Sequence, residues 1–379
     1  MLLSYSAKNY YCFKEGIEVS FELGKSCPPS ISNNKKFSTV LCVKGANGAG
    51  KSNALKALEF ISNFCRNSFS LKPDAPLNYK PFYNSKDTTD FSVTFEVDKI
   101  KYTYDLSLLN NEVIKESIKR KKSKEVTLFE RDRNILTNCI ISFKELKKIK
   151  LRSNASIIST AHQYEIKNLQ FIYNFFSKFF ISIDAAAGSF NNNVFNAINS
   201  FYYEQSNLLE FAKCMLKKCD LGIQDVIIKK IDIDENQIRY ATSFVHEYNG
   251  ELFNIPFEDE SKGTRNLYKQ LFLYKLVLDG GGVLVLDEFD INLHPDILPL
   301  LVDLFTDTEK NPNDAQLLFT THNSAILNIL GKYRSVMVNK ENNESYLYRV
   351  DEIKSDLVRN DRPLEPIYNS GKIGGVPKV

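Results

Sequence analysis

Gly45-Ala46-Asn47-Gly48-Ala49-Gly50-Lys51-Ser52 carries the required residue at every fixed position of the phosphate-binding pattern G-x-x-x-x-G-K-[ST]. Its flanks supply the context that the pattern needs. Ahead of it, Ser38-Thr39-Val40-Leu41-Cys42-Val43-Lys44 is a short β-branched and apolar run that reads as a buried strand. Behind it, Asn53 to Ile61 is rich in helix formers, with apolar residues at helical spacing. The chemistry accounts for the residue types. Glycines 45, 48 and 50 let the backbone turn sharply and bring its N–H groups up to a phosphate chain, to which the helix N-terminus adds positive potential. Lys51 can then reach the β- and γ-phosphates, and the Ser52 hydroxyl can ligate Mg²⁺.

A phosphate loop needs a carboxylate partner, and Gly281-Gly282-Val283-Leu284-Val285-Leu286-Asp287-Glu288 supplies one. The unbroken apolar run from Val283 to Leu286 reads as a central parallel strand buried on both faces. Acids at its C-terminal end lie where open α/β sheets bind ligands. Asp287 is then the Mg²⁺ partner of Ser52, and Glu288 is placed to activate or orient the attacking water.

Composition bounds the rest. The chain has 379 residues, 43% of them hydrophobic, enough for substantial cores in one large domain or two or three smaller ones. With 49 basic and 46 acidic residues the net charge is +3, so any case for nucleic acid must come from local clusters. The seven cysteines, at 12, 27, 42, 65, 139, 214 and 219, lack paired C-x-x-C spacing and suggest neither zinc site nor disulfide framework. Met1 to Tyr5 lacks the charged start of a signal peptide, and the apolar run from Phe171 to Ile183 is too short to span a bilayer. The expectation is a soluble cytoplasmic protein with no membrane partner.

Taken in order, residues 2–8 and 16–23 read as strands, and 91–97 with 101–106 as a hairpin of half-exposed strands. Composition changes near Asn110. Six basic residues face one acid, Glu116, between Lys115 and Lys124, and Lys144, Lys147, Lys148, Lys150 and Arg152 follow. This region from 115 to 152 is a solvated helical or hairpin surface, or a patch for nucleic acid or an acidic partner. Residues 160–219 read as helices, with an apolar stripe Phe171, Phe175, Phe176, Phe179 and Phe180 and a Gly/Asn-rich break at Gly188 to Asn193. Strands return at 226–231 and 237–248, where Asn249-Gly250 signals a hairpin. Glu260-Ser261-Lys262-Gly263-Thr264 opens a helix whose start can bind an anion. Gln316 to Thr321 is another buried strand, and His322 at its C-terminal end is well placed to touch a γ-phosphate.

Together these pieces resemble the ATPase head of the ATP-binding-cassette type, in the SMC, RecF and OLD branch. The loop from Gly45 to Asn53 has that branch's G-x-N-G-x-G-K-S-N form, which adds Asn47 and Asn53 to the nucleotide-binding set. Ser261, Lys262 and Gly263 match its degenerate signature motif. Asp287-Glu288-Phe289-Asp290 with Leu293-His294-Pro295 matches the Walker B and D-loop, and Thr320-Thr321-His322-Asn323 the switch histidine. The resemblance covers nearly the whole chain. It is closer to the stand-alone RloA-like, abortive-infection-type ATPases, through Asn9 to Phe13, Leu216 to Val226 with Asp220-Leu221-Gly222-Ile223, His246, and Tyr368 to Pro377. The chain departs from the branch in having no glutamine before Gln163, so a Q-loop glutamine is missing, and it leaves no room for the TOPRIM nuclease domain of OLD proteins.

The resemblance implies an α/β P-loop NTPase head of ABC/SMC type, with a mixed sheet and two lobes. Its expected parts are an N-terminal lobe (1–108), a mainly helical insertion or arm (109–221) and a C-terminal lobe (222–379). ATP and Mg²⁺ are the implied cofactors, with Glu288 and His322 as catalytic residues. Ser261, Lys262 and Gly263 would act in trans on another copy, so ATP would drive assembly of a homodimer or higher homo-oligomer through the heads. The implied role is the nucleotide-gated sensor or scaffold of a bacterial phage-defence module, controlling a separately encoded effector such as a TOPRIM-type nuclease or a toxin. The alternative is a RecF-like DNA repair or maintenance ATPase whose basic region contacts duplex.

Overall fold

The computed structural model describes residues 1–183, 192–219, 222–234, 237–290 and 293–376. Part of the expected break at Gly188 to Asn193, and Asp220, Leu221 and Pro377, lie outside the described residues. The chain opens with antiparallel strands β1 (Leu2–Lys8) and β2 (Ile17–Ser20), a single helical turn α1 (Pro29–Ser32), the phosphate-loop strand β3 (Val40–Gly45) and helix α2 (Lys51–Asn67). An antiparallel meander follows: β4 (Thr89–Val97), β5 (Ile100–Leu109), β6 (Glu112–Lys121), β7 (Glu125–Asp132) and β8 (Ile135–Cys139). Next come α3 (Ile157–Gln163), α4 (Gln170–Ser177), β9 (Phe179–Ser182), α5 (Asn192–Glu204) and α6 (Ser206–Cys219). Strands β10 (Ile223–Asp234), β11 (Gln237–Tyr248) and β12 (Glu251–Pro256) lead into α7 (Lys262–Gly280), β13 (Val283–Leu286), α8 (Ile297–Thr306), β14 (Gln316–Thr320) and α9 (Ile326–Leu330). The last elements are β15 (Ser335–Glu341), β16 (Glu344–Arg349) and α10 (Leu364–Asn369).

Among the described residues the strands form three sheets: β2-β1-β4-β5-β6-β7-β8, the small sheet β10-β11-β12, and the mixed sheet β16-β15-β3-β14-β13-β9. In the mixed sheet every pairing is parallel except β15 with β16. Its central strands β3, β14 and β13 feed two cores, which is why they read as largely apolar runs. Leu41, Val43, Val285 and Leu318 join α2 and the seven-stranded sheet on one side. Val40, Cys42, Leu284, Leu317 and Phe319 pack with α6, α7 and α8 on the other. Four hairpins turn on two residues with positive φ, at Asp98-Lys99, Asn110-Asn111, Asn249-Gly250 and Asn342-Asn343, the geometry whose twist matches the flanking strands.

The segment 109–221 carries strands as well as the helices α3 to α6. Strands β6, β7 and β8 extend the seven-stranded sheet, and β9 pairs in parallel with β13 as an edge of the mixed sheet. A bulge between the Ser107–Lys115 and Leu108–Val113 pairings breaks the alternation of β6 and turns Glu116 inward, which hides the strand period among the lysines. The helix through the phenylalanine stripe ends at Ser177. Phe179 and Phe180 belong to a four-residue edge strand of which only Phe179 is fully buried, a length at which helix and strand periods cannot be told apart.

Candidate active site

The loop between β3 and α2 has the backbone a phosphate cradle requires. Gly48 has φ +73° and Gly50, the N-cap of α2, has φ +112°. Both lie in the left-handed region that glycine adopts without strain. A Cβ on Gly45 would sit 2.5 Å from the Val338 carbonyl oxygen, and one on Gly50 2.7 Å from Cys12 Sγ. Asn47 and Gly48 are exposed, whereas Lys51 is buried. Its Nζ donates to the carbonyls of Gly45 (3.0 Å) and Ala46 (3.1 Å), leaving one of three N–H groups for a phosphate oxygen. Burial lowers the Lys51 pKa, and the Asp287, Glu288 and Asp290 carboxylates oppose that shift, so all three acids act on this ammonium. Ser52 is half-buried in the first turn of α2, and Asn53 Nδ2 donates to Cys12 Sγ at 3.3 Å.

The acids follow β13, next but one to β3 in the sheet, with β14 between them. The Thr320 hydroxyl donates to Asp287 Oδ1 and accepts from the Glu288 N–H at 2.8 Å, locking the two acids to the end of β14. Glu288 has φ +50°, a sparsely populated conformation for a side chain of its size and one concentrated at functional sites. Its carboxylate reaches His322, with Oε1 3.7 Å from Nε2 and both side chains about half exposed. Asp290 accepts the backbone N–H groups of His322 (3.1 Å) and Asn323 (3.1 Å). Among the described residues no group of three or more His, Cys, Asp or Glu could hold a metal unaided. A hydroxyl and one carboxylate beside a phosphate cradle still suit a hard cation that takes its remaining oxygens from nucleotide and water.

The signature residues stand apart from this cluster. Ser261 caps α7, its hydroxyl accepting the Thr264 N–H at 3.1 Å, and Ser261 and Lys262 are exposed. Glu260 accepts the Ser261 N–H (3.0 Å) through one carboxylate oxygen and meets His246 Nε2 with the other. Lys115, Lys121, Lys122 and Lys124 of the basic run are exposed. Glu116 is fully buried against Arg131, and Lys119 lies 3.8 Å from Asp105 on the polar face of the sheet.

Two residues escape a reading of the sequence. Lys44 is 2% exposed and donates to the carbonyls of Thr321 and His322, and Tyr368 places its ring 5.3 Å from the same ammonium. The signal for Lys44 is a lysine inside an otherwise apolar strand. Tyr368 opens the terminal stretch that carries the family resemblance, but nothing in that stretch points to Lys44.

Residues 40–328 match the family described as "AAA domain, putative AbiEii toxin, Type IV TA system". None of the curated proteins matches the chain. Among solved structures, an SMC head bound to the C-winged helix domain of ScpA is similar at a TM-score of 0.53 and 11% identity, covering 93% of this chain and 99% of that one. The SMC head domain of Thermotoga maritima aligns at a TM-score of 0.43 and 14% identity, over 92% and 98% of the two chains. An SMC head with an extended coiled coil, bound to the C-terminal domain of ScpA and derived from Pyrococcus furiosus, aligns at 0.46 and 11%, over 98% of both. At 11% identity the first match speaks to the fold alone, a mixed α/β head of ABC/SMC type.

Proposed function

The chain belongs to the AAA-domain family whose description links it to AbiEii toxin and type IV toxin–antitoxin systems, and from that premise we propose that it is an ATP-hydrolysing head whose nucleotide state controls a separately encoded effector. The observation that carries the reading is the meeting of Glu288 and His322, 3.7 Å apart, in a cluster whose carboxylates act on Lys51. In this reading the loop amides from Gly45 to Gly50 and the Lys51 ammonium bind the phosphates, and Asn47 and Asn53 flank them. Ser52 and Asp287 hold Mg²⁺, which would neutralise phosphate charge and orient the nucleotide. Glu288 orients the attacking water, and His322 contacts the γ-phosphate.

Head-to-head association completes the site. Ser261, Lys262 and Gly263 open α7 toward solvent, so a second copy can receive them over its own bound nucleotide, and Asp290 lies beside the same loop as His322. ATP then favours the assembled state and hydrolysis dissolves it, a population shift rather than a metabolic turnover. The family description favours a defence or toxin–antitoxin setting, in which the RloA-like role would be to hold or release a nuclease or toxin. The test is phosphate release from ATP in Mg²⁺. Slow turnover by the native chain is expected, with Lys51→Ala failing to bind nucleotide and Glu288→Gln binding ATP without cleaving it. Undiminished hydrolysis by Glu288→Gln would remove that residue from the mechanism.

A further inference from the structure

Lys44 is the penultimate residue of β3, on the face that sends Val40 and Cys42 into an apolar core. An ammonium in such a place is costly unless its hydrogens are taken up. Here they go to a single loop: Nζ lies 2.6 Å from the His322 carbonyl oxygen and 3.2 Å from that of Thr321. The N–H groups of the same stretch, at His322 and Asn323, go to the Asp290 carboxylate. The switch loop is thus held by a cation on its carbonyls and an anion on its amides, and charged partners make such bonds roughly twice as strong as neutral ones.

The far side of the ammonium is closed by Tyr368 of α10, 5.3 Å away. The Tyr368 hydroxyl donates to the Gly375 carbonyl (2.9 Å), and the Gly375 N–H donates to Asn339 of β15 (2.6 Å). Glu365 of α10 accepts from Ser324 Oγ (2.9 Å) and Asn328 Nδ2 (3.1 Å), just beyond the switch histidine. The C-terminal segment and the phosphate-loop strand therefore grip the same loop from two directions.

We propose that Lys44 is a positioning residue for hydrolysis: it ties the backbone of Thr321 and His322 to the strand that carries the phosphate loop, and so fixes the reach of the His322 imidazole toward Glu288. The proposal rests on the reading of His322 and Glu288 as hydrolytic groups. Because Lys44 precedes Gly45, a shift of the loop on nucleotide binding is passed to the histidine through two hydrogen bonds. A lysine that served packing alone would lower stability when replaced and would act independently of His322.

The test is a cycle of Lys44→Met, His322→Ala and the double variant in the full chain, read as steady-state ATP hydrolysis, binding of a fluorescent ATP analogue and thermal melting. Lys44→Met is expected to lower kcat on the order of 10- to 100-fold, the effect of a small misplacement, with KM within about twofold. The double variant is expected to be no slower than His322→Ala. Multiplying losses, or a change confined to KM, would overturn the proposal. If the native chain hydrolyses nothing, the functional reading fails alone and the ring signals of His162, His246, His294 and His322 in NMR decide Lys44. Lys44→Met should then move only the signal that His322→Gln deletes, and an unmoved signal would overturn the assignment. Should Lys44→Met not fold, Lys44→Arg, which keeps the cation but alters its donor geometry, is read in the same cycle.

Discussion

Lys51 holds its charge in a partly desolvated place, and that has a measurable consequence. Burial lowers its pKa below the usual 10.5, whereas a bound phosphate chain favours the ammonium and raises it again. The sign follows directly. As pH rises through the lowered value, the free protein loses the proton that the complex keeps, so nucleotide affinity falls and binding takes up protons. Calorimetric titration with ATP in two alkaline buffers of different ionisation enthalpy should give different apparent enthalpies. Lys51→Arg should abolish the difference, since arginine keeps its charge throughout this range. Equal enthalpies in the native protein would mean that nucleotide binding takes up no proton at Lys51. Residues with a fixed place in a motif are legible in the sequence, because spacing alone brings glycines 45, 48 and 50 before Lys51. Lys44 is not, because its partner carbonyl at His322 arrives 278 residues later and its role exists only once β3 and β14 pair.

Among the elements, β6 and β7 are joined by a buried ion pair. Arg131 Nη2 lies 2.8 Å from Glu116 Oε2, with both side chains fully buried. The Glu116 carboxylate also accepts the Tyr104 hydroxyl (2.9 Å) and the Ile157 N–H (3.0 Å), so it caps α3. Arg131 donates to the carbonyls of Arg152 (3.0 Å) and Ala155 (2.6 Å). Removing one partner leaves an uncompensated charge in the core, so Arg131→Met should cost about 3–5 kcal/mol of unfolding free energy in urea titration. Glu116→Leu combined with Arg131→Met should cost less than Arg131→Met alone; a larger loss in the double variant would mean that the pair contributes net stability. The same residues explain why the strands of this insertion are hard to see in the sequence. Charge density between Lys115 and Lys124 suggests a solvated surface, yet Glu116 within it is fully buried. The strands of the mixed sheet are legible because burial on both faces leaves an uninterrupted apolar run, as at Val283 to Leu286. Strand β9 is not, because Phe179 and Phe180 follow Phe175 and Phe176 four residues on, so the apolar stripe of α4 continues at helical spacing across Ser177 and Lys178.

At the scale of the molecule, the mixed sheet collects the phosphate loop, the acids and the switch histidine at the C-terminal ends of β3, β13 and β14, with an apolar core on each face. In the proposed reading the sheet assembles one half of a catalytic site. The start of α7, which that reading makes the other half, faces outward, and its Ser261 is held by Glu260, which in turn meets His246. On this proposal a single head binds nucleotide, and two heads complete the chemistry. The most direct measurement is the solution mass of Glu288→Gln with and without Mg-ATP, beside Lys51→Ala. The account predicts that ATP shifts Glu288→Gln to a species of twice the mass or more, while Lys51→Ala stays unchanged. One mass for Glu288→Gln under both conditions would contradict nucleotide-gated association and leave the fold standing without the switch.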